Sequence, residues 1–237
     1  MPPEVQLLPW DSAWLGFPVA RLVAGPAIGA PEVTAALAGC RVQGVRLLYV
    51  VLPVDSQAIA QVDGAWLADV RLTYQRLVEQ PQPPAGFPAT ERASIRKVTA
   101  LTPALEQLAW QSGEHSRFRR DVRLPAGAYQ ELYSTWLSRM LTQGTVWAVV
   151  ADDEVIGMLA LDARAVPARI ELVAVAPAAR RQGIGQLLVQ AALCEAAARH
   201  LALLEVVTQG ANHAARYLYE REGFRLLDSR HIYHIWL

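Results

Sequence analysis

The stretch Val173-Ala-Val-Ala-Pro-Ala-Ala-Arg-Arg-Gln-Gly-Ile-Gly185 decides the reading of this chain. Leu172 to Ala176 is a continuous apolar run, the pattern of a buried strand, and Pro177 ends it. Gly183 and Gly185 then open an amphipathic helix, with Ile184, Leu187, Leu188, Ala191 and Cys194 expected on one face. A helix start preceded by glycines presents unpaired backbone N–H groups and the positive end of the helix dipole. Those donors suit a diphosphate, and Arg180 and Arg181 add positive charge beside them.

Three phosphate-binding designs share this outline. A Walker loop needs Gly-Lys-Ser/Thr, whereas Gly185 is followed by Gln186 and Leu187. A dinucleotide fingerprint needs a third glycine at position 188, which is Leu. The remaining pattern, Arg/Gln-x-x-Gly-x-Gly/Ala, is met by Arg180, Gly183 and Gly185. A second motif lies downstream, in Asn212-His-Ala-Ala-Arg-Tyr-Leu-Tyr-Glu-Arg-Glu-Gly-Phe224. Asn212 suits a helix start. Tyr219 follows seven residues later, about two turns on, so both share one face. Gly223 suits the helix end, and Phe224 the next strand.

Together the two motifs resemble those of the GCN5-related N-acetyltransferases, the GNAT superfamily. Asn212, Ala215, Tyr219, Gly223 and Phe224 fall on its Asn-x-x-Ala-x-x-x-Tyr-x-x-x-Gly-Phe pattern. The resemblance implies acetyl-coenzyme A as cosubstrate and an α/β fold, with a mixed, mostly antiparallel sheet whose central strands splay apart. It implies a cofactor groove built by Val173, Ala174, Val175, Arg180, Arg181, Gln182, Gly183, Ile184, Gly185, Gln186 and Asn212. The N–H of Val173 would meet the acetyl oxygen, and Val175 the pantetheine arm. The pyrophosphate would rest on the N–H groups of residues 181–186.

Composition bounds the alternatives. The chain has 237 residues, 53% hydrophobic and 19% charged, which favours a packed core over disorder. Formal net charge is zero, with no lysine-rich run, which argues against a nucleic-acid surface. Cys40 and Cys194 lack metal-ligand spacing, so free thiols and no metal are expected. No signal-peptide pattern and no apolar run of about 18 residues occurs, so a cytoplasmic protein without a membrane partner is expected. A homodimer stays open.

Four prolines within residues 79–90 predict a linker over 79–91. It would separate a small N-terminal α/β domain, 1–78, from an acetyltransferase domain, 92–237. In the latter, Ser94–Val98 reads as a first strand, and Thr102-Pro103 starts a helix. A second helix opens near Pro125. A hairpin turns about Asp152-Asp153-Glu154, and the motif strand runs from Ala168 to Ala176. Two strands are expected at the end, at 224–227 and 232–236. In the N-terminal part, Val45–Leu52 reads as a buried strand. The alternating Arg71–Leu77 reads as an edge strand.

A narrower resemblance, to the dTDP-fucosamine acetyltransferase branch, rests on the Trp10-Asp11 and Leu15-Gly16 region. It rests also on Ser116-Arg-Phe-Arg119 ahead of the aromatic helix Tyr129–Trp136. It implies a nucleotide-linked amino sugar as the small-molecule amine substrate.

Acetyl transfer needs an acid for the leaving thiolate and a base for the amine. Tyr219 is the candidate acid, since a phenol with a reference pKa of about 10 stays protonated at neutral pH. Tyr217, two residues away, faces elsewhere. Glu171 is the candidate base, read as sharing a strand face with Val173 and Val175. His115 and water are the alternatives. Arg117 and Arg119 are candidates for an anionic substrate group, within a run that includes Arg120 and Arg123. Trp136 is the candidate for stacking on it, although a core role fits it, Tyr129 and Tyr133 equally. Other functions left open are a silent acyl-coenzyme A-binding module and transfer to peptides or other amines.

Overall fold

Two parallel strand–helix–strand crossovers set the frame of the computed structural model, which describes residues 5–25, 28–60, 62–78 and 93–237. The first stretch runs β1 (Val5–Leu7), α1 (Pro9–Leu15), β2 (Val19–Val23), α2 (Ala30–Val42), β3 (Leu47–Pro53) and β4 (Trp66–Leu77). The linker expected at 79–91 lies outside the described residues. Then follow β5 (Ala93–Val98), α3 (Pro103–Ser112), α4 (Arg117–Arg120) and α5 (Ala128–Gln143). The chain continues through β6 (Thr145–Ala151), β7 (Glu154–Asp162), β8 (Ala168–Val175) and α6 (Ile184–Ala198). It ends with β9 (Leu203–Gln209), α7 (His213–Arg221) and β10 (Arg225–Trp236).

Among the described residues, ten strands join one sheet in the order β1-β2-β3-β10-β4-β9-β8-β7-β6-β5. Among the described residues only β2/β3 and β8/β9 pair in parallel, so the sheet is mixed and mostly antiparallel, as expected. Local chemistry accounts for several elements. Thr102 caps α3 by accepting from the Leu105 N–H, with Pro103 in the first turn. Asp152 and Asp153 both take positive φ, 47° and 65°, the conformation a two-residue hairpin turn requires between β6 and β7. Strand alternation sorts the core. In β3, Leu48, Val50 and Leu52 pack with Val33, Leu37 and Cys40 of α2, while Leu47 and Tyr49 face the side of α1 and α4. Helices α6 and α7 share the α2 side, and α3 and α5 the other.

Three expectations are corrected. The segment 71–77 is no edge strand: β4 lies between β10 and β9. Its polar alternation arises because Arg71 lines a cavity while Leu72 and Tyr74 enter the core. The two final strands are one strand of twelve residues with a bulge between Leu226 and Asp228. It pairs β3 on one side and β4 on the other, so the N-terminal segment and the rest share a single sheet. On α6 the fully buried stripe is Ile184, Leu188, Val189, Ala192 and Ala196, with Leu187, Ala191 and Cys194 only half-buried. No helix among the described residues is long and apolar enough to cross a membrane.

Candidate active site

The site begins where β8 leaves β9. The two pair only over Ala168–Ile170 against Leu204–Val206, although β9 continues to Gln209 and β8 to Val175. The cause is a bulge in β8. Ile170 stands opposite Leu161 and Leu172 opposite Ala160, which leaves Glu171 as an extra residue. A bulge bends its strand and raises its twist. Beyond Ile170 the β9-facing backbone of β8 therefore has no strand partner, and an extended ligand arm can take that place.

The bulge also changes which side chains share a face. Ile170, Val173 and Val175 pack on the α6 side, whereas Leu172 and Ala174 pack on the α3/α5 side. Glu171 does not share a face with Val173 and Val175, contrary to the sequence reading. It points to α5, where its Oε2 accepts the Trp136 Nε1–H at 3.0 Å. Burial pushes its carboxyl pKa up, against the pull of Arg169 and Arg139.

After β8 a single turn at Pro177–Ala179 leads into the glycine loop. Arg181 and Gly183 both have positive φ, 67° and 82°, and α6 starts at Ile184 without a side-chain cap. Its first N–H groups consequently lack intrahelical partners. Arg180 braces the loop, its Nε–H donating to the Val175 carbonyl at 3.1 Å. Gln182 donates from Nε2 to Ala178 O at 3.3 Å. A Cβ on Gly185 would stand 3.2 Å from Leu218 Cδ2, so the helix start sits close against α7. The side chain of Ile184 is core, which leaves its backbone alone for a ligand.

Asn212 caps α7, its Oδ1 accepting the Ala215 N–H at 3.1 Å. That cap aims Tyr219 inward: Tyr219 is 2% exposed and Tyr217 67%. The Tyr219 ring packs against Tyr74 and Phe224, with centroids 6.2 and 5.8 Å away. Burial pushes its pKa further up, so the phenol keeps its proton throughout the neutral range.

Val173, Glu171, Trp136, Asn212 and Tyr219 line one cavity of about 310 Å³. It extends across the sheet to residues the sequence did not single out: Arg169 on β8, Asp69 and Arg71 on β4, and Arg21 on β2. Arg117 hangs over it from α4, its guanidinium 4.6 Å from the Tyr49 ring and 4.3 Å from the Phe118 ring. Burial raises the Asp69 carboxyl pKa to about 6, and burial with the charges of Arg169 and Arg117 lowers that of Arg71. A charged residue at a buried strand position was the available signal for Asp69 and Arg71.

Arg119 does not join the cavity. It lies exposed, 3.8 Å from Glu114 and over the Tyr129 ring. Arg120 donates to the Ala68 carbonyl and Arg123 to Asp121. His115 is absent from the lining. Asp121 fastens α4 to β10, accepting from His234 Nδ1 at 2.7 Å, Trp236 Nε1 at 3.0 Å and Arg123 Nε at 2.9 Å. No cluster of three or more metal-binding side chains occurs among the described residues.

Residues 142–226 match the family model described as an acetyltransferase (GNAT) domain. Over the whole chain, the fold is similar to that of a GCN5-related N-acetyltransferase from Sphaerobacter thermophilus. The two are 16% identical, 99% of this chain and 76% of that chain are covered, and the TM-score is 0.64. A tandem GNAT protein from the clavulanic acid biosynthesis pathway gives 20%, 93%, 76% and 0.59 for the same measures. A GCN5-related N-acetyltransferase from Kribbella flavida gives 17%, 92%, 81% and 0.57. The chain has the GNAT fold, and its residues 142–226 match the acetyltransferase (GNAT) domain of that family model.

Proposed function

We propose that this protein transfers the acetyl group of acetyl-coenzyme A to the primary amine of a small molecule by direct attack. The observation that carries this reading is the junction of two features. The splay of β8 from β9 and the bare start of α6 lie together, and the splay opens into the cavity that holds Glu171 and Tyr219. The α6 start and positive-φ loop suit a pyrophosphate, which needs N–H donors and close backbone approach. The unpaired edge of β8 suits the pantetheine arm.

The chemistry follows from the positions. An amine arrives as an ammonium and gives one proton to Glu171, directly or through water. The raised carboxyl pKa makes Glu171 a competent acceptor. The neutral nitrogen attacks the thioester carbon, forming the N–C bond while the carbonyl electrons move to oxygen. The Val173 N–H, fixed before reaction, donates to that oxygen. As the carbonyl re-forms, the C–S bond breaks and Tyr219 gives its proton to the sulfur. The second amine proton passes through water to restore Tyr219, and Glu171 releases the first to solvent.

The finer reading is a nucleotide-linked amino sugar as acceptor, supported by the Ser116–Arg119 and Tyr129–Trp136 pattern. The wall that Arg117, Phe118 and Tyr49 place along the cavity favours a small acceptor over a peptide segment. The test is calorimetric binding of acetyl-coenzyme A, followed by thiol release with an amine panel. Saturable binding and amine-dependent release are expected. No binding, or release indifferent to amine, would overturn the reading.

A further inference from the structure

Glu171 is held by a single donor. Its Oε2 accepts the Trp136 Nε1–H at 3.0 Å, the one hydrogen bond to this carboxylate among the described residues. Oε1 is left for the cavity that Glu171 lines. Glu171 is also the extra residue of the β8 bulge, so it has no paired residue on β7 to steady its side chain. The donor, by contrast, is fixed from behind. Trp136 stands in mid-helix on α5, one turn after Tyr133 and next to Leu137, both buried. Its ring lies 5.7 Å from that of Tyr133 and packs against the α3/α5 core.

The kind of donor matters for a base. An arginine at this place would form an ion pair and hold the carboxyl far below the pH at which it can take up a proton. An indole carries no charge, so it orients the carboxylate and leaves its basicity. The surrounding charges pull both ways. Arg169 on β8 and Arg139 on α5 favour the ionised form, while Asp162 at the end of β7 opposes it. Arg164 also acts on Glu171, and it pairs with Asp162 at 2.6 Å. Burial outweighs these attractions and favours the neutral form.

We propose that Trp136 is the positioning residue of the base: its indole N–H holds one oxygen of Glu171 so that the other faces the arriving amine. This rests on the acetyl-transfer reading above, in which Glu171 accepts the amine proton. A glutamate has three rotatable side-chain bonds, and fixing them before the amine arrives removes part of the entropic barrier. In this role the edge of the Trp136 indole is committed to the protein.

The test uses the full chain, isotope-labelled at glutamate carboxyl carbons and tryptophan indole nitrogens, and titrated from about pH 4 to 9 by nuclear magnetic resonance. The two signals are assigned by their loss in Glu171→Gln and Trp136→Phe. In the wild type they should share one midpoint. Trp136→Phe should raise the Glu171 midpoint by about one pH unit, because a hydrogen bond to the charged form is lost. Trp110→Phe is the control. Trp110 Nε1 also donates to a side chain of α5, Ser134 Oγ at 2.9 Å, so that variant should leave the midpoint in place. Thiol release from acetyl-coenzyme A, with the fastest amine of the panel above, supplies the second readout. In Trp136→Phe the acidic limb should move up by the same amount. On the plateau kcat should fall about tenfold, at unchanged calorimetric affinity for acetyl-coenzyme A. In the Glu171→Gln background Trp136→Phe should change kcat by less than about twofold, because the two residues act as a unit. An unmoved midpoint and limb, or equal losses from Trp136→Phe in both backgrounds, overturns the proposal and leaves acetyl transfer intact. Full activity with an unchanged acidic limb in Glu171→Gln overturns Glu171 as the base, and the role of Trp136 with it.

Discussion

The chain builds the parallel crossover twice and puts the two copies to different uses. In the first, β2 pairs with β3 residue for residue from Val19 to Val23, against Leu47 to Val51. Helix α2 begins at Gly29, whose N–H donates to the Glu32 carboxylate at 3.0 Å. That carboxylate satisfies a donor and already compensates the helix dipole, so the helix start has no call for an anion. In the second, β8 leaves β9 after three pairs, and α6 starts with no side-chain cap. The same supersecondary unit is thus closed by full pairing and a self-cap, and opened by one bulge and a bare, glycine-led helix. A parallel crossover by itself leaves no open strand edge beside a bare helix start. The extra residue at Glu171 and the conformations at Arg181 and Gly183 do.

The largest expected effect removes chemistry from the open crossover while keeping its shape. Tyr219→Phe should lower kcat by about 10²–10⁴-fold with unchanged calorimetric affinity for acetyl-coenzyme A, the range for losing a general acid. Equal activity of the variant across pH 6–9 would take Tyr219 out of the mechanism.

Glu171→Gln should cost about 10²-fold in kcat/KM, at the low end because water can substitute in part. In the proposed mechanism the wild type uses the ionised carboxylate, and burial raises its pKa. Activity should therefore fall as pH drops through a value above the ordinary glutamate range. The Gln variant should lose that limb of the pH profile. An identical limb in both proteins would assign it to another group.

The glycine positions test whether the helix start is what differs. Gly183→Val forces a β-branched residue into positive φ, and Gly185→Val drives into Leu218. Strain of about 1–3 kcal/mol at such a position corresponds to a loss of roughly 10–100-fold in acetyl-coenzyme A affinity. Gly29 has φ −105°, open to any residue, so Gly29→Val should leave that affinity untouched. A calorimetric loss in the Gly29 variant would undo the contrast between the crossovers.

The smallest effect is the most pointed. Glu32→Gln weakens the α2 cap and should cost less than about 1 kcal/mol in urea unfolding. It should create no second acetyl-coenzyme A site, because β2 and β3 stay paired. Two binding equivalents by calorimetry would show that the cap alone keeps the first crossover closed.

The features legible in the sequence are those fixed by residues close along the chain. The loop from Arg180 to Gln186 takes positive φ at Gly183, where glycine is unstrained, and the Asn212-to-Tyr219 spacing is a property of one helix. Both read correctly before any partner strand is known. Other features depend on neighbours that the sequence does not name. Arg71–Leu77 alternates alike whether the strand lies at a sheet edge in bulk water or in mid-sheet with Arg71 lining a cavity. Glu171 changes face because β8 carries one residue more than β7 offers, and that mismatch exists only in the pairing. Arg117 and Arg119 looked equivalent until α4 formed. Two residues on a helix are about 200° apart, so one faces the cavity and the other Glu114.

The sequence by itself determined the acetyltransferase fold, the glycine loop and the candidate acid, because backbone conformation and helical period are local. Tertiary structure alone decided the far end of the cavity. Arg21, Arg71 and Arg117 are scattered along the chain, and only the sheet order and the seating of α4 on β10 by Asp121 bring their charges together.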